Sequence, residues 1–307
     1  MDVFNGLRQV PLHFGPSVVT IGNFDGLHLG HQCLVKETIR QGQLLSAKPV
    51  VFTFSPHPVK VLFPQRPFYS LFSKETLKEE LGKMEVGALI LEPFTKEFSQ
   101  IRAQDFIKSL KEKLHPKAIV VGPNFRWGFR HEGDIKLLKE LGEKMGFQTI
   151  VVDPVLKEGR VVSSSWIREL LLKGDVKKAH ELLGRPFFLK EEVKKGQGRG
   201  QQISIPTANF VLTDPYPLMD GVYITRTWRK NKAYPSVTNV GGSPTFGTQG
   251  RLVETHLIDE KAMNLYGEVL KVEFLDYLRK RKKFSSLEEL KAQIGRDIDR
   301  ARDFFKS

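Results

Sequence analysis

The sequence predicts a chain of two parts: a doubly wound, parallel-sheet α/β domain, then an antiparallel sheet or small β-barrel with a closing helix. Three observations carry this. The first half alternates short apolar, β-branched runs with helical stretches. Strands apolar throughout are buried on both faces, which implies a parallel sheet between two helix layers. The second half has strand after strand separated by Gly and Pro turns and no intervening helix, the pattern of an antiparallel sheet or small barrel. The character changes near Arg185-Pro186, so the domains are expected at residues 1–184 and 185–307.

Taken in order, strands are predicted at 17–21, 49–54, 87–91, 118–121 and 148–152. Helices are predicted between them at 30–43, 77–84, 103–114 and 134–145. A helical connector covers Trp166 to Leu183. Beyond it, strands are read at Val193 and at 207–212, 221–228, 234–240, 252–258 and 270–274. A last helix spans 286–305, with Ser285 or Ser286 as its cap and Glu288 and Glu289 in its first turn.

Composition narrows the function. The chain has 307 residues, 40% hydrophobic and 27% charged, which is ordinary globular usage. No apolar run approaches the roughly 18 residues needed to cross a bilayer, so no membrane association is expected. The N-terminus shows no basic segment followed by an apolar core, and the single Cys33 can form no internal disulfide. A cytoplasmic location is expected. The net charge of +13 divides into +6 over residues 1–184 and +7 over residues 185–307, so it is spread and not a basic tail. Such charge suits nucleic acid, an anionic membrane surface or small polyphosphates. No common nucleic-acid recognition motif is present, so no nucleic-acid partner is expected. The densest cluster, Arg279 to Lys283, reads as a solvated loop.

The richest segment is Thr20-Ile21-Gly22-Asn23-Phe24-Asp25-Gly26-Leu27-His28-Leu29-Gly30-His31, which leads from the first strand into a helix. Its glycines permit unusual backbone angles, and the two histidines fall near a helix N-terminus, where free N–H groups favour phosphate. From spacing alone, the histidines fit phosphate contact, a metal site or an exposed turn. Ser163-Ser164-Ser165-Trp166-Ile167-Arg168 offers hydroxyls and a guanidinium fork, but also reads as a serine cap with a surface arginine. In the second half, Gly196, Gly198 and Gly200 make a loop able to wrap phosphates, or a plain hairpin; it is not a Walker A sequence.

The first of these segments resembles the nucleotidyltransferase superfamily signature, and its longer form resembles the adenylyltransferase half of the bifunctional riboflavin kinase/FMN adenylyltransferase family. Further elements follow in family order: Phe52 to Pro58, Phe94-Thr95-Lys96-Glu97-Phe98, and Val121 to Gly128 with Trp127 in place of Phe. The last is Ser163 to Arg168, with Ser165 in place of Thr. The second half is similar to riboflavin kinase in Pro206-Thr207-Ala208-Asn209, Gly221-Val222-Tyr223, Asn239 to Gly247, Val253 to Asp259 and Leu265-Tyr266-Gly267.

The resemblance implies a Rossmann-like nucleotidyltransferase domain and a β-barrel kinase domain, with ATP, riboflavin and FMN as substrates and Mg²⁺ as cofactor. It implies that His28, His31 and Arg168 are catalytic for transfer of the adenylyl group to FMN. Gly22, Asn23, Phe24, Asp25, Gly30, Ser164 and Ser165 would contact ATP, and His57 and Asn124 the flavin. In the kinase half it implies Glu254 as general base, where the residue alone reads as a surface glutamate. Gly196, Gly198, Thr207 and Asn209 would hold ATP phosphates, Thr207 and Asn209 also the metal, and Arg296 the flavin. Gln201 and Ser204 replace a family arginine and glycine. That departure keeps a second reading open, an adenylyltransferase with a degenerate flavin-binding or regulatory C-terminal domain.

Overall fold

The computed structural model describes residues 1–194, 206–212, 216–242, 251–259 and 265–306. It divides into two compact units, Met1–Phe68 with Phe72–Ser164, and Tyr69–Leu71 with Ser165–Ser307. The helical connector thus packs with the second unit, twenty residues before the change of character at Arg185.

The first unit is a six-stranded, wholly parallel sheet. Its strands are β1 (Asp2–Phe4), β2 (Ser17–Ile21), β3 (Lys48–Phe54), β4 (Ala88–Glu92), β5 (Pro116–Val121) and β6 (Gln148–Val151). Between them lie α1 (Leu29–Leu44), α2 (Pro58–Leu62), α3 (Lys74–Lys83), α4 (Ala103–Leu114) and α5 (Ile135–Met145). All five residues of β2 are buried. Alternate residues pack on opposite faces: Val19, Ile21, Ile119 and Val121 join Phe106, Ile107 and Leu110 of α4, while Val18, Ala118 and Val120 meet Leu34 and Leu45. The predicted two-faced burial is therefore present. Side-chain oxygens start the helices where the sequence offers them, Ser73 for α3 (Thr76 N–H, 3.1 Å) and Asp134 for α5 (Leu137 N–H, 2.9 Å).

The first unit ends on a small hairpin, β7 (Leu156–Lys157) with β8 (Arg160–Val161), before the chain enters α6 (Ser164–Leu172) and α7 (Val176–Leu183). The connector is two helices because Gly174, with φ of 80°, breaks it and Asp175 caps the next.

The second unit is an antiparallel sheet in the order β10-β13-β12-β11-β14-β9. These are β9 (Phe187–Glu192), β10 (Ala208–Leu212), β11 (Gly221–Arg229), β12 (Lys232–Gly242), β13 (Arg251–Leu257) and β14 (Val269–Arg279). Its edges meet at one antiparallel bridge, where Lys194 N–H donates to Asn209 O at 2.8 Å, so the sheet curls into a barrel. The strand expected at Val193 lies earlier, at Phe187–Glu192, because Phe187, Phe188 and Leu189 supply the apolar contacts. The inner face carries an unbroken run of buried hydroxyls: Thr227 to Ser236 (2.8 Å), Ser236 to Thr225 (2.8 Å), Thr225 to Thr238 (2.7 Å) and Thr238 to Thr255 (2.9 Å). On the outer face Val222, Ile224, Val237 and Leu278 cluster with Ile298, Ala301, Phe304 and Phe305 of the closing helix α8 (Leu287–Lys306). Of the two expected serines Ser286 caps it, its Oγ accepting from Glu289 N–H, while Glu289 Oε2 reaches back to accept from Ser285 N–H.

Candidate active sites

From β2 the chain runs outward through β3 and β4, then returns to the other side of β2 for β5 and β6. The reversal falls between β2 and β5, and ligands of such sheets bind at that switch point, outside the C-terminal strand ends. The structure brings most of the residues predicted for adenylyl transfer to this end of the sheet. Gly22 to His31 follow β2, Asn124 follows β5, and His57 follows β3.

The turn after β2 is tightly wound, with positive φ at Phe24 (33°), Gly26 (82°) and Leu27 (41°). It ends on His28, the N-cap of α1, whose Nδ1 accepts from His31 N–H at 3.3 Å. A ring nitrogen that accepts carries no proton, so in the neutral ring Nε2 is the donor. The two imidazoles stack at 3.6 Å between centroids, and His28 is buried. The first turn of α1 holds no acidic residue, so its positive end stays available to an anion.

Gly30 allows this packing. A Cβ there would lie 3.2 Å from Cε1 and 3.3 Å from Nδ1 of His28. Gly22 N–H donates to Phe52 O at 3.1 Å and extends the β2–β3 pairing, and Asn23 is exposed. Phe24 is fully buried, with its ring 5.2 Å from that of His31, so it backs the histidine and offers no side-chain surface to a nucleotide. Asp25 is buried too. Its Oδ1 accepts from Phe72 N–H at 3.0 Å, and its backbone oxygen accepts from Ser164 Oγ at 2.9 Å. These two bonds tie the turn to chain far away in sequence.

Asn124 is exposed on a turn closed by Phe125 N–H to Gly122 O. The base of that loop is clamped to α4. Trp127 Nε1–H donates to Ala103 O at 2.9 Å, a bond that the phenylalanine expected there could not make. Glu132 accepts from Ala103 N–H (2.7 Å) and Arg102 (2.8 Å), and the backbone bond first, then Arg102, holds its carboxyl below the usual range. His57 caps α2 through Val59 N–H (3.2 Å) and stacks on Phe68 at 4.3 Å, an aromatic shelf beside the end of β3. Ser165 and Arg168 lie on α6 with the second unit; Ser165 is exposed, and Arg168 Nε donates to Tyr69 O at 2.7 Å.

The second unit assembles its own group. Asn209, Glu254 and Asn239 stand directly opposite one another on three adjacent strands. Side chains at matched positions share a face, here the outer face on which α8 packs. Asn239 Nδ2 donates to Glu254 Oε2 at 3.0 Å, and Asn209 Nδ2 donates to Thr207 O at 3.2 Å. Further along the same level, Val222 pairs with Arg279, whose guanidinium makes a bidentate pair with buried Asp297 on α8. Arg296 is exposed on that helix and bonds Gln293. Gly196, Gly198, Gln201 and Ser204 lie outside the described residues. Asn239, Phe72 and Tyr69 escaped sequence reasoning as site partners, since their roles come from pairing register and long-range bonds.

Two folds in one chain, each assembling its own polar group, are those of a two-site nucleotide-dependent transferase. A family model for FAD synthetase matches residues 11–166, and one for riboflavin kinase matches residues 183–305. The bifunctional riboflavin kinase/FMN adenylyltransferase of Buchnera aphidicola (Acyrthosiphon pisum) is 34% identical over 302 residues, 97% of this chain and 96% of that protein. The Escherichia coli K12 protein of the same name is 34% identical over 290 residues, 94% and 92% of the two chains. A crystal structure described as a macrolide-efflux protein from Streptococcus pneumoniae superposes with a TM-score of 0.88 at 31% identity, over 98% of both chains. No helix among the described residues of this chain is long and apolar enough to cross a membrane. The chain belongs to the bifunctional riboflavin kinase/FMN adenylyltransferase family.

Proposed function

We propose that residues 1–184 adenylylate FMN and residues 185–307 phosphorylate riboflavin, each at the site described above. Both activities, with ATP, riboflavin and FMN as substrates, are those of the family; the assignment of residues is the new step. The observation that carries it is the histidine pair capping α1 at the switch point of the sheet.

In the first reaction an FMN phosphate oxygen attacks the α-phosphorus of ATP, and pyrophosphate leaves. A phosphate monoester is already nucleophilic near neutral pH, so the protein needs only to align and neutralise. His28 Nε2–H, His31 and the α1 N-terminus meet the phosphates with Ser164; Ser165 and Arg168 are assigned to phosphate from the family motif alone. Gly22 and Gly30 let the backbone and rings approach. Asn23 and Asp25 bound the nucleotide pocket, Phe24 from behind. The His57–Phe68 shelf and Asn124 receive the flavin.

In the second reaction Glu254 takes the proton from the ribityl 5′-hydroxyl as that oxygen attacks the γ-phosphorus of ATP and ADP leaves. Asn239 holds Oε2 of Glu254, which steers the carboxylate. The donor set fits Mg²⁺: a hydroxyl from Thr207 and an amide oxygen from Asn209, whose nitrogen end is turned to Thr207 O. A hard cation of this kind takes few protein oxygens and completes its shell with phosphate and water. Bound there, it would neutralise charge on the transferring phosphoryl group. Gly196 and Gly198 would contact the ATP phosphates and Arg296 would meet the flavin. A cytoplasmic enzyme acting on small molecules is the reading, as the family's substrates ATP, riboflavin and FMN suggest.

Incubating the chain with riboflavin, ATP and Mg²⁺ and separating the flavins tests both halves together. H28A should abolish FAD formation and spare FMN formation. E254Q should lower FMN formation by ~100-fold or more, the usual contribution of a general base, and spare adenylylation of supplied FMN. Retained activity in either variant would remove that residue from its role.

A further inference from the structure

We infer that His256 is a positioning residue for phosphoryl transfer: it clamps the peptide of Thr207 and so sets the candidate phosphate and metal oxygens against Glu254. The inference rests on the kinase-site reading given above.

His256 Nδ1 lies 2.9 Å from Pro206 O. A carbonyl only accepts, so Nδ1 must carry the proton and donate. The Pro206 carbonyl belongs to the same planar peptide unit as the Thr207 nitrogen, so this bond fixes the plane on which Thr207 is mounted. The next peptide unit, that of the Thr207 carbonyl, is fixed by Asn209 Nδ2 at 3.2 Å. Both units flanking Thr207 are therefore held, one from β13 and one from β10.

The same two strands carry the reacting groups. Positions 254 and 256 share a face of β13, since side chains alternate along a strand. Glu254 pairs in register with Asn209. One strand thus holds the base and, two residues on, the donor that places the Thr207 hydroxyl. His256 pairs with Val237, a residue of the apolar cluster under α8, so its backbone is anchored in rigid structure. An aliphatic residue would fill such a half-buried strand position as well for packing alone. The imidazole adds a donor aimed at one carbonyl.

The test uses the full chain and compares H256L, which removes the donor, with H256N, whose amide nitrogen reaches the place of Nδ1. Riboflavin phosphorylation is measured with MgATP and riboflavin varied separately, and adenylylation of supplied FMN serves as the internal control. H256L should raise the KM for MgATP roughly three- to tenfold, the span of one hydrogen bond, and leave the KM for riboflavin and FMN adenylylation unchanged. H256N should stay within about twofold of the parent. Unchanged MgATP kinetics in H256L, equal damage in H256N, or an equal rise in the riboflavin KM would each overturn the inference. Should H256L unfold at the assay temperature, H256D repeats the comparison, being isosteric with H256N but lacking a donor. E254Q run alongside separates the two levels: if it retains full riboflavin phosphorylation, the kinase-site reading itself fails.

Discussion

Substituting Gly30 by alanine separates catalysis from stability at the histidine pair. Gly30 is the second residue of α1, and the added Cβ would stand 3.2 Å from Cε1 and 3.3 Å from Nδ1 of His28. Ordinary carbon contacts begin at about 3.5 Å, so the ring must retreat by about 0.3 Å or more. His28 has little slack, because its bond from His31 N–H is already 3.3 Å long and weakens further on retreat. Misplacement by 1 Å can cost about 100-fold in rate, so a shift of a third to half of that should cost about five- to tenfold. Stability should move the other way or not at all, since alanine is favoured over glycine in helices by up to about 1 kcal/mol. The assay is FAD and pyrophosphate formation from FMN and ATP, with thermal melting on the same sample and riboflavin phosphorylation as control. Expected are a five- to tenfold fall in FAD formation, an unchanged or higher melting temperature, and unchanged FMN formation. Full FAD formation in G30A would refute the claim that His28 must sit where it does. Loss of both activities with a lower melting temperature would show instead that the clash damages the fold.

Two further substitutions probe stability. D297N keeps the shape of a buried side chain that takes three bonds from Arg279, two from Nε and one from Nη2, and one from Gln293, but leaves the part-buried guanidinium without its counter-charge. Depriving a part-buried charged donor of its partner costs about 1–3 kcal/mol, which should appear as a lower denaturant midpoint for the loss of riboflavin phosphorylation. E92Q acts in the first unit. Burial pushes the Glu92 carboxyl above its usual pKa, with the bond from Leu7 N–H and the charge of Arg8 opposing. A carboxyl raised in the folded state takes up a proton on folding, so this group makes the protein less stable as pH rises through the window from the usual carboxylate value to the raised one. E92Q should therefore raise the urea midpoint at pH 7, and its advantage should shrink as the pH is lowered toward the usual value. An advantage that is constant with pH would rule out ionisation of Glu92 as the cause.

Much of the α/β unit is legible in the chain because its central strands are buried on both faces, so runs such as Ser17–Ile21 and Pro116–Val121 stand out by composition alone. Elements without that signal were missed. Asp2–Phe4 is a three-residue edge strand, and Pro58–Leu62 is a single helical turn started by proline. In the barrel, Phe187–Glu192 has an apolar first half and a charged second half, which hides its period. Phe24 illustrates the limit for sites. It stands in a motif of ligand contacts, yet its ring is interior, and a motif cannot distinguish a residue that touches a ligand from one that props up its neighbour.

By itself the sequence determined the two fold classes, the order of the phosphate-binding turns, and the residue types that carry the chemistry. These are local properties: apolar periodicity, glycine placement and capping side chains act over a few residues. Tertiary structure alone decided which of those residues meet. Asn209 faces Glu254, and Glu254 faces Asn239, through strand register. Asp25 is tied to Phe72 and Ser164, and His256 to Pro206, across long stretches of chain. Register and long-range hydrogen bonds depend on how whole strands slide against one another. Shifting one strand by a single residue would turn every side chain on it to the other face, and only the packed core selects the one alignment that buries the apolar set.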